Sequence, residues 1–155
     1  MADRRGLPMP FIQLENEITA TITFWTVDAF GAEQKEPTGS CQIEHDLSTN
    51  VWIMKETMAH PGWGQLLYDL AIEFASASTR GLIPDRLEVF KPAQDLWFRY
   101  FAQRADVTHA PYQGSRYQGD LKHPDALEFL EQIYSKPDVI FAELDRRGAV
   151  VREVA

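Results

Sequence analysis

Gly62 and Gly64 stand one residue apart at the head of a run with helical spacing, "HPGWGQLLYDLAIEFA". Glycine weakens a helix interior but lets the backbone come close to another group. The first N–H groups of a helix have no acceptor within it, and the helix dipole favours negative charge there. A strand that runs through a short glycine loop into such a start is a generic phosphate site. Its donors here would be the backbone amides of Gly62, Trp63, Gly64 and Gln65. The same spacing also serves a plain tight turn. It is neither of two common nucleotide motifs. Tyr68 and Asp69 follow where a dinucleotide fingerprint needs a third glycine, and no Gly-Lys-Ser/Thr is present for a P-loop.

Other reactive side chains say less. His45, His60, His109 and His123 lack a recognised ligand spacing, so no metal is expected. Cys41 is the single cysteine of the chain. It excludes an internal disulfide, fits a reducing cytoplasm and reads as a small buried hydrophobe. The formal net charge of -8 argues against broad binding to nucleic acid, which needs cationic surface. No apolar run approaches the roughly 20 residues of a membrane span. "MADRRGLPMPF" lacks the apolar segment of a secretory signal. No membrane partner is expected, and a homodimer is compatible with the sequence.

The elements that would position these groups follow from periodicity, in one domain spanning residues 1–155. Residues 1–10 read as a loose arm. "FIQLENEITATITFWTV" reads as extended, with Ile18, Ala20, Ile22 and Phe24 alternating with threonines on a half-buried strand. "DAFGAEQKEPTGS" is a turn. Residues 40–45 and 51–56 form a hairpin whose second, more apolar strand lies centrally. Trp63, Leu66, Leu67, Leu70, Ala71, Phe74 and Ala75 make one apolar helix face, which Gly81 ends. "LIPDRLEVF" is extended, with Pro84 marking an edge or a bulge. "KPAQDLWFRYFAQR" is a second helix, with Pro92 in its first turn and Trp97 and Tyr100 inward. A short strand and a polar, aromatic loop follow, then a third helix over "PDALEFLEQIYSK". In the tail, "DVIFAELDRRG" suits a helix and "AVVREV" a short strand. The expected fold class is α+β: a mixed, mostly antiparallel sheet flanked by helices in three layers.

Residues 39–107 resemble the central part of the GNAT N-acetyltransferase superfamily, closest to small GNAT-like proteins of bacteriophages and some bacteria. The resemblance rests on a strand, a G-x-G-x-L-L-Y-D helix start, a "PDR" segment and a helix with "A-x-x-L-W", in that order. It implies acetyl-CoA, or another acyl-CoA, as cofactor. The family's [QR]-x-x-G-x-[GA] pattern holds the pyrophosphate through backbone amides. Gly62 and Gly64 take its small positions, Ala59 stands where Arg or Gln is usual, and His60 lies one residue on. Ile53, Met54 and Lys55 would flank the pantetheine arm, and residues 92–104 its far side. A phage-encoded protein would work in the host cytoplasm.

Acyl transfer to an amine needs removal of a proton from the amine and a proton for the departing thiolate. Glu44 and Glu56 are the candidate bases, with His45 and His60 as alternatives. The family's acid is a tyrosine on the second helix. Trp97 takes that position here, which leaves Tyr100, one turn later, as the candidate acid. The loop from Tyr112 to Lys122, with Arg116, is the candidate acceptor contact. The implied function is direct transfer from acyl-CoA to an amine on a small molecule, a protein or a modified nucleobase. The alternative is a catalytically degenerate module of the same fold that modulates a host or phage partner.

Overall fold

The computed structural model describes residues 9–26 and 36–154. The arm over residues 1–8, and most of the expected turn after β2, lie outside them. The first strand, β1 (Met9–Leu14), starts earlier than expected, at the end of the supposed arm. It turns into β2 (Thr19–Trp25), whose Ala20, Ile22 and Phe24 are fully buried while Ile18 stays exposed. Then β3 (Gly39–Asp46) and β4 (Val51–Ala59) form the hairpin. Asn50 closes its turn at φ 55, a left-handed position that asparagine tolerates.

Helix α1 (Gly64–Ser78) follows, then the two-residue strand β5 (Leu82–Ile83) and helix α2 (Lys91–Ala102). Next come β6 (Thr108–Pro111), a 3-10 turn at Pro124–Ala126 and the short α3 (Leu127–Leu130). The chain ends with β7 (Gln132–Ser135), α4 (Ile140–Arg146) and β8 (Val151–Val154). The sheet order is β6-β7-β5-β4-β3-β2-β1-β8. Among the described residues only β1 with β8 and β4 with β5 pair in parallel. The fold is therefore α+β on a mixed, mostly antiparallel sheet, with β4 central as its apolar sequence requires.

Three expectations fail locally. The end of the expected third helix is the four-residue strand β7, because Ile133 and Tyr134 are drawn between β5 and β6. Pro84 marks neither an edge nor a bulge; β5 is interior, and Pro84 ends it after two residues. Helix α1 stops before Gly81, where the Thr79 hydroxyl donates to the Ala75 carbonyl at 2.6 Å. Gly81 instead lets the chain pass against the Tyr134 carbonyl at φ +141, where a Cβ would clash.

Buried side chains of α1, α2 and α3 join one core with Ile22, Ile43 and Met54 of the sheet. The opposite face of β4, β5 and β7 packs Val51, Ile53, Ile83 and Ile133 under Tyr112. On the helix side, the buried carboxylate of Glu73 on α1 pairs with the Lys136 ammonium. It also accepts the N–H groups of Val139, Ile140 and Phe141 at 2.9–3.2 Å, so α1 caps α4 from a distance. Removing one partner of a buried ion pair leaves a charge unpaired in the core. Glu73→Ala is expected to lower stability by about 3–5 kcal/mol, read as a lower urea midpoint, and Glu73→Leu with Lys136→Met to lose far less.

Candidate active site at a slot through the sheet

The site begins where two strands part. β4 pairs with β5 only at Trp52 with Leu82 and Ile53 with Ile83. Beyond Ile83 the chain reaches Pro84 and leaves the sheet, while β4 runs on to Ala59. The edge of β4 past Ile53 therefore has no neighbouring strand on that side. A bulge adds to the disorder of the ladder: Ile43 opposes Met54 and Cys41 opposes Thr57, so Lys55 and Glu56 together face Gln42.

A cavity of about 480 Å³ fills the gap. Its walls come from both faces of the sheet. Met54, Tyr68 and Trp97 belong to the core under the helices. Glu44 also lines it, but stands opposite Ile53 in the ladder and so on the other face. The opening is thus a slot through the sheet. Four carboxylates line it, Glu44, Glu56, Asp85 and Glu88, against one ammonium, Lys55.

The segment from Pro84 to Phe90 forms the wall that a continued β5 would have occupied, and it is braced from behind. Buried Arg86 donates to the carbonyls of Pro84 at 2.9 Å, Leu130 at 3.0 Å and Ser115 at 3.3 Å, with its guanidinium over the Tyr112 ring. The Val89 N–H donates to the Tyr117 hydroxyl at 3.0 Å. Gln94 donates to the carbonyls of Val89 and Asp120 at 2.9 and 2.8 Å.

On the helix side, α1 starts without a side-chain cap or an acidic first turn. Gly62 adopts φ +88, which favours glycine, and a side chain at Gly62 or Gly64 would meet only open space. Among the described residues, the N–H groups of Gly62, Gly64, Gln65 and Leu66 find no acceptor in the chain. The Trp63 N–H does, donating to the His60 carbonyl at 3.0 Å. Of the four expected donors Trp63 drops out, and Leu66 joins. A smaller cavity, about 190 Å³, lies beside this start between Gln65 and Leu96 and Arg99 of α2, with Gln103 just past its end. Arg99 is exposed and forms no ion pair among the described residues. Free amides and a guanidinium across the seam suit a diphosphate. In that respect the residues fit the acyl-CoA that the resemblance implies.

The slot brings together Glu44, Glu56, Met54, Lys55 and Trp97 of the residues expected from sequence. It leaves out others. Ile53 faces the second core under Tyr112. Ala59 and His60 lie past the slot, and the His60 N–H donates to the Thr38 carbonyl. His45 stacks on Trp52 at 4.9 Å and meets Asn50. Tyr100 is 1% exposed and donates to Asp69 at 2.7 Å and to the Gln65 carbonyl at 3.1 Å. Burial first, then the Asp69 carboxylate, push its phenol far above the usual range. It locks α2 to α1 and is no acid of the slot. Tyr112 and Tyr117 are buried braces, and Arg116 pairs with Glu131 at 3.0 Å, so the aromatic loop does not line the slot.

Sequence reasoning missed Tyr68, Asp85, Glu88 and Arg99. Tyr68 lines the slot with its ring edge-on to Trp97 at 5.3 Å. Burial raises its phenol to about 12, against the lowering effect of its hydrogen bond with Thr57. Its sequence signal was the phenol in "LLYD", one turn into α1. Among the described residues no three His, Cys, Asp or Glu side chains form a metal set, and no helix is long and apolar enough to cross a membrane. Compared with known proteins, the chain matches no family model, no curated protein and no solved structure.

Cys41 is buried, as its sequence reading requires, and burial pushes its thiol up to about 12. The unfolded thiol titrates near its ordinary value of 9.0. The preference for the protonated fold is thus complete below pH 9 and lost between pH 9 and about 12. Wild type should lose stability more steeply than Cys41→Val across that alkaline range, measured by urea unfolding at fixed pH values. Parallel curves would contradict the assignment.

Proposed function

We propose that the protein is an acyl-CoA-dependent N-acyltransferase of GNAT type, transferring an acyl group directly to an amine. One observation carries this reading: a slot opened by the parting of β4 and β5, beside a helix start with free amides. On the helix side Gly62, Gly64, Gln65 and Leu66, with Arg99, would hold the diphosphate. When bound, acyl-CoA supplies a thioester carbonyl; a C–N bond forms, the C–S bond breaks, sulfur gains a proton and the ammonium sheds two. Glu56 and Glu44 offer carboxylate oxygens to the ammonium at the slot. Tyr68, protonated at neutral pH, is the proton donor on the helix side in place of the buried Tyr100. The wall Pro84–Phe90 keeps the strand edge of β4 open.

The second reading, a binding module without catalysis, draws on Ala59 and Trp97. No cation supports the amides from Ala59, and Trp97 fills the expected acid position while 1% exposed.

Acetyl-CoA at a hundred times its Kd should add about 2.7 kcal/mol, hence raise Tm by roughly 5–10 °C. Gly64→Glu should remove the shift, since the position is open and tolerates the side chain but not the anion. Arg99→Ala should weaken binding by about tenfold or more. No shift with millimolar acetyl-CoA would refute the transferase. Turnover lost in Tyr68→Phe with the acetyl-CoA shift intact would mark Tyr68 as the donor.

A further inference from the structure

A second cavity, about 440 Å³, adjoins the slot on the face away from the helices. It reaches Glu15, Thr21, Ser40 and Met58, and it shares Gln42, Glu56 and Thr57 with the slot. Thr21 pairs with Gln42 and Ser40 with Met58 across the ladder, so the two cavities form one groove across β2, β3 and β4. Three strands span about 10 Å, so with the slot the groove exceeds the reach of a small amine.

The rim of the slot carries two apolar side chains in water, Leu87 at 62% exposure and Phe90 at 76%. Both sit on the braced wall, so their exposure is fixed rather than a consequence of a loose loop. Exposed apolar groups beside a concave site mark contact with a partner. The charge is one-sided: Glu15 at the far end and four carboxylates at the slot, against Lys55. Phosphate-bearing partners are repelled by such a lining, and cationic ones are drawn to it.

Resting on the transferase reading, we propose that this groove docks an extended basic segment of a partner protein and admits one of its lysine side chains into the slot. Leu87 and Phe90 cover the apolar neighbours of that lysine. The lysine stem passes the apolar wall and its ammonium meets Glu56 and Glu44. Acyl-CoA approaches from the helix face and the lysine from the opposite face, so the two meet inside the sheet.

The test is fluorescence anisotropy on the full chain without acyl-CoA. The probe is a short labelled peptide with a central lysine flanked by leucines and arginines. Saturable binding that weakens with salt is expected, and no binding of the same peptide with glutamates for its cations. Leu87→Ser with Phe90→Ser should weaken binding roughly tenfold, and so should Glu56→Gln with Glu88→Gln. Both pairs lie at the surface, and serine is a good N-cap where Phe90 opens α2; circular dichroism checks the fold. Failure of the peptide to bind would overturn the proposal. So would binding indifferent to Leu87 and Phe90, or displacement by equimolar spermidine or a single-stranded oligonucleotide. Peptide binding without an acetyl-CoA shift leaves the docking groove standing and removes the transferase. The reverse result does the opposite.

Discussion

Everything at the site depends on β4 and β5 pairing for two residues and no more. A continued parallel pair would seal the sheet, and no cavity would join its faces. Two features prevent this. Pro84 lacks the N–H that another ladder bond would need, and the bulge at Lys55 and Glu56 breaks the alternation of β4 just past the parting. A gap in a sheet is costly unless its walls are satisfied some other way. The segment from Pro84 to Phe90 meets this demand by handing its carbonyls to Arg86 and Gln94 and an N–H to Tyr117. The opening is therefore a rigid part of the fold.

The two helices over the slot are tied by a different set of bonds. Tyr100 reaches from α2 to Asp69 and the Gln65 carbonyl on α1, and Arg104 adds an ion pair to Asp69 at 3.1 Å. Tyr68, edge-on to Trp97, closes the same seam. These contacts set the distance between the start of α1 and the Arg99 side of α2. The amides at that start stay free because the first N–H groups of a helix have no acceptor within it and no side chain caps this one. The cavities differ in the charge that lines them: carboxylates at the slot and the outer groove, and the guanidinium of Arg99 beside the start of α1.

Much of the scaffold was legible because local pattern and tertiary demand agree in it. Ala20, Ile22 and Phe24 of β2, the apolar start of β4, Leu67, Leu70, Ala71 and Ala75 of α1 and Trp97 and Tyr100 of α2 are buried as their period says, whereas Ile18 is exposed and Leu66, Phe74 and Leu96 are half-buried. Reading failed where one pattern served two structures. Leu127, Leu130 and Tyr134 keep helical spacing through β7, and only the vacancy between β5 and β6 turns that stretch into strand. The same ambiguity hid the site. Tyr68 and Tyr100 both fall on inward helix positions, and spacing cannot tell which phenol meets a cavity and which a carboxylate. Asp85 and Glu88 lie in a segment that reads as strand, where alternation would turn them to opposite faces. They converge only because the chain leaves the sheet at Pro84. The hairpin register places Glu44 opposite Ile53, but Glu56 owes its place to the bulge, which shifts the register past Met54 and has no mark in the alternation.

The last strand lies beside the first. Residues 11–14 of β1 pair in parallel with residues 151–154 of β8, the widest separation in sequence that the sheet joins. About 140 residues separate these partners, so β1 leaves the ribosome well before β8. Until β8 emerges, β1 presents a bare row of peptide groups to any other extended chain nearby. In the folded sheet β8 covers that border, so the exposure lasts only while β8 is unpaired.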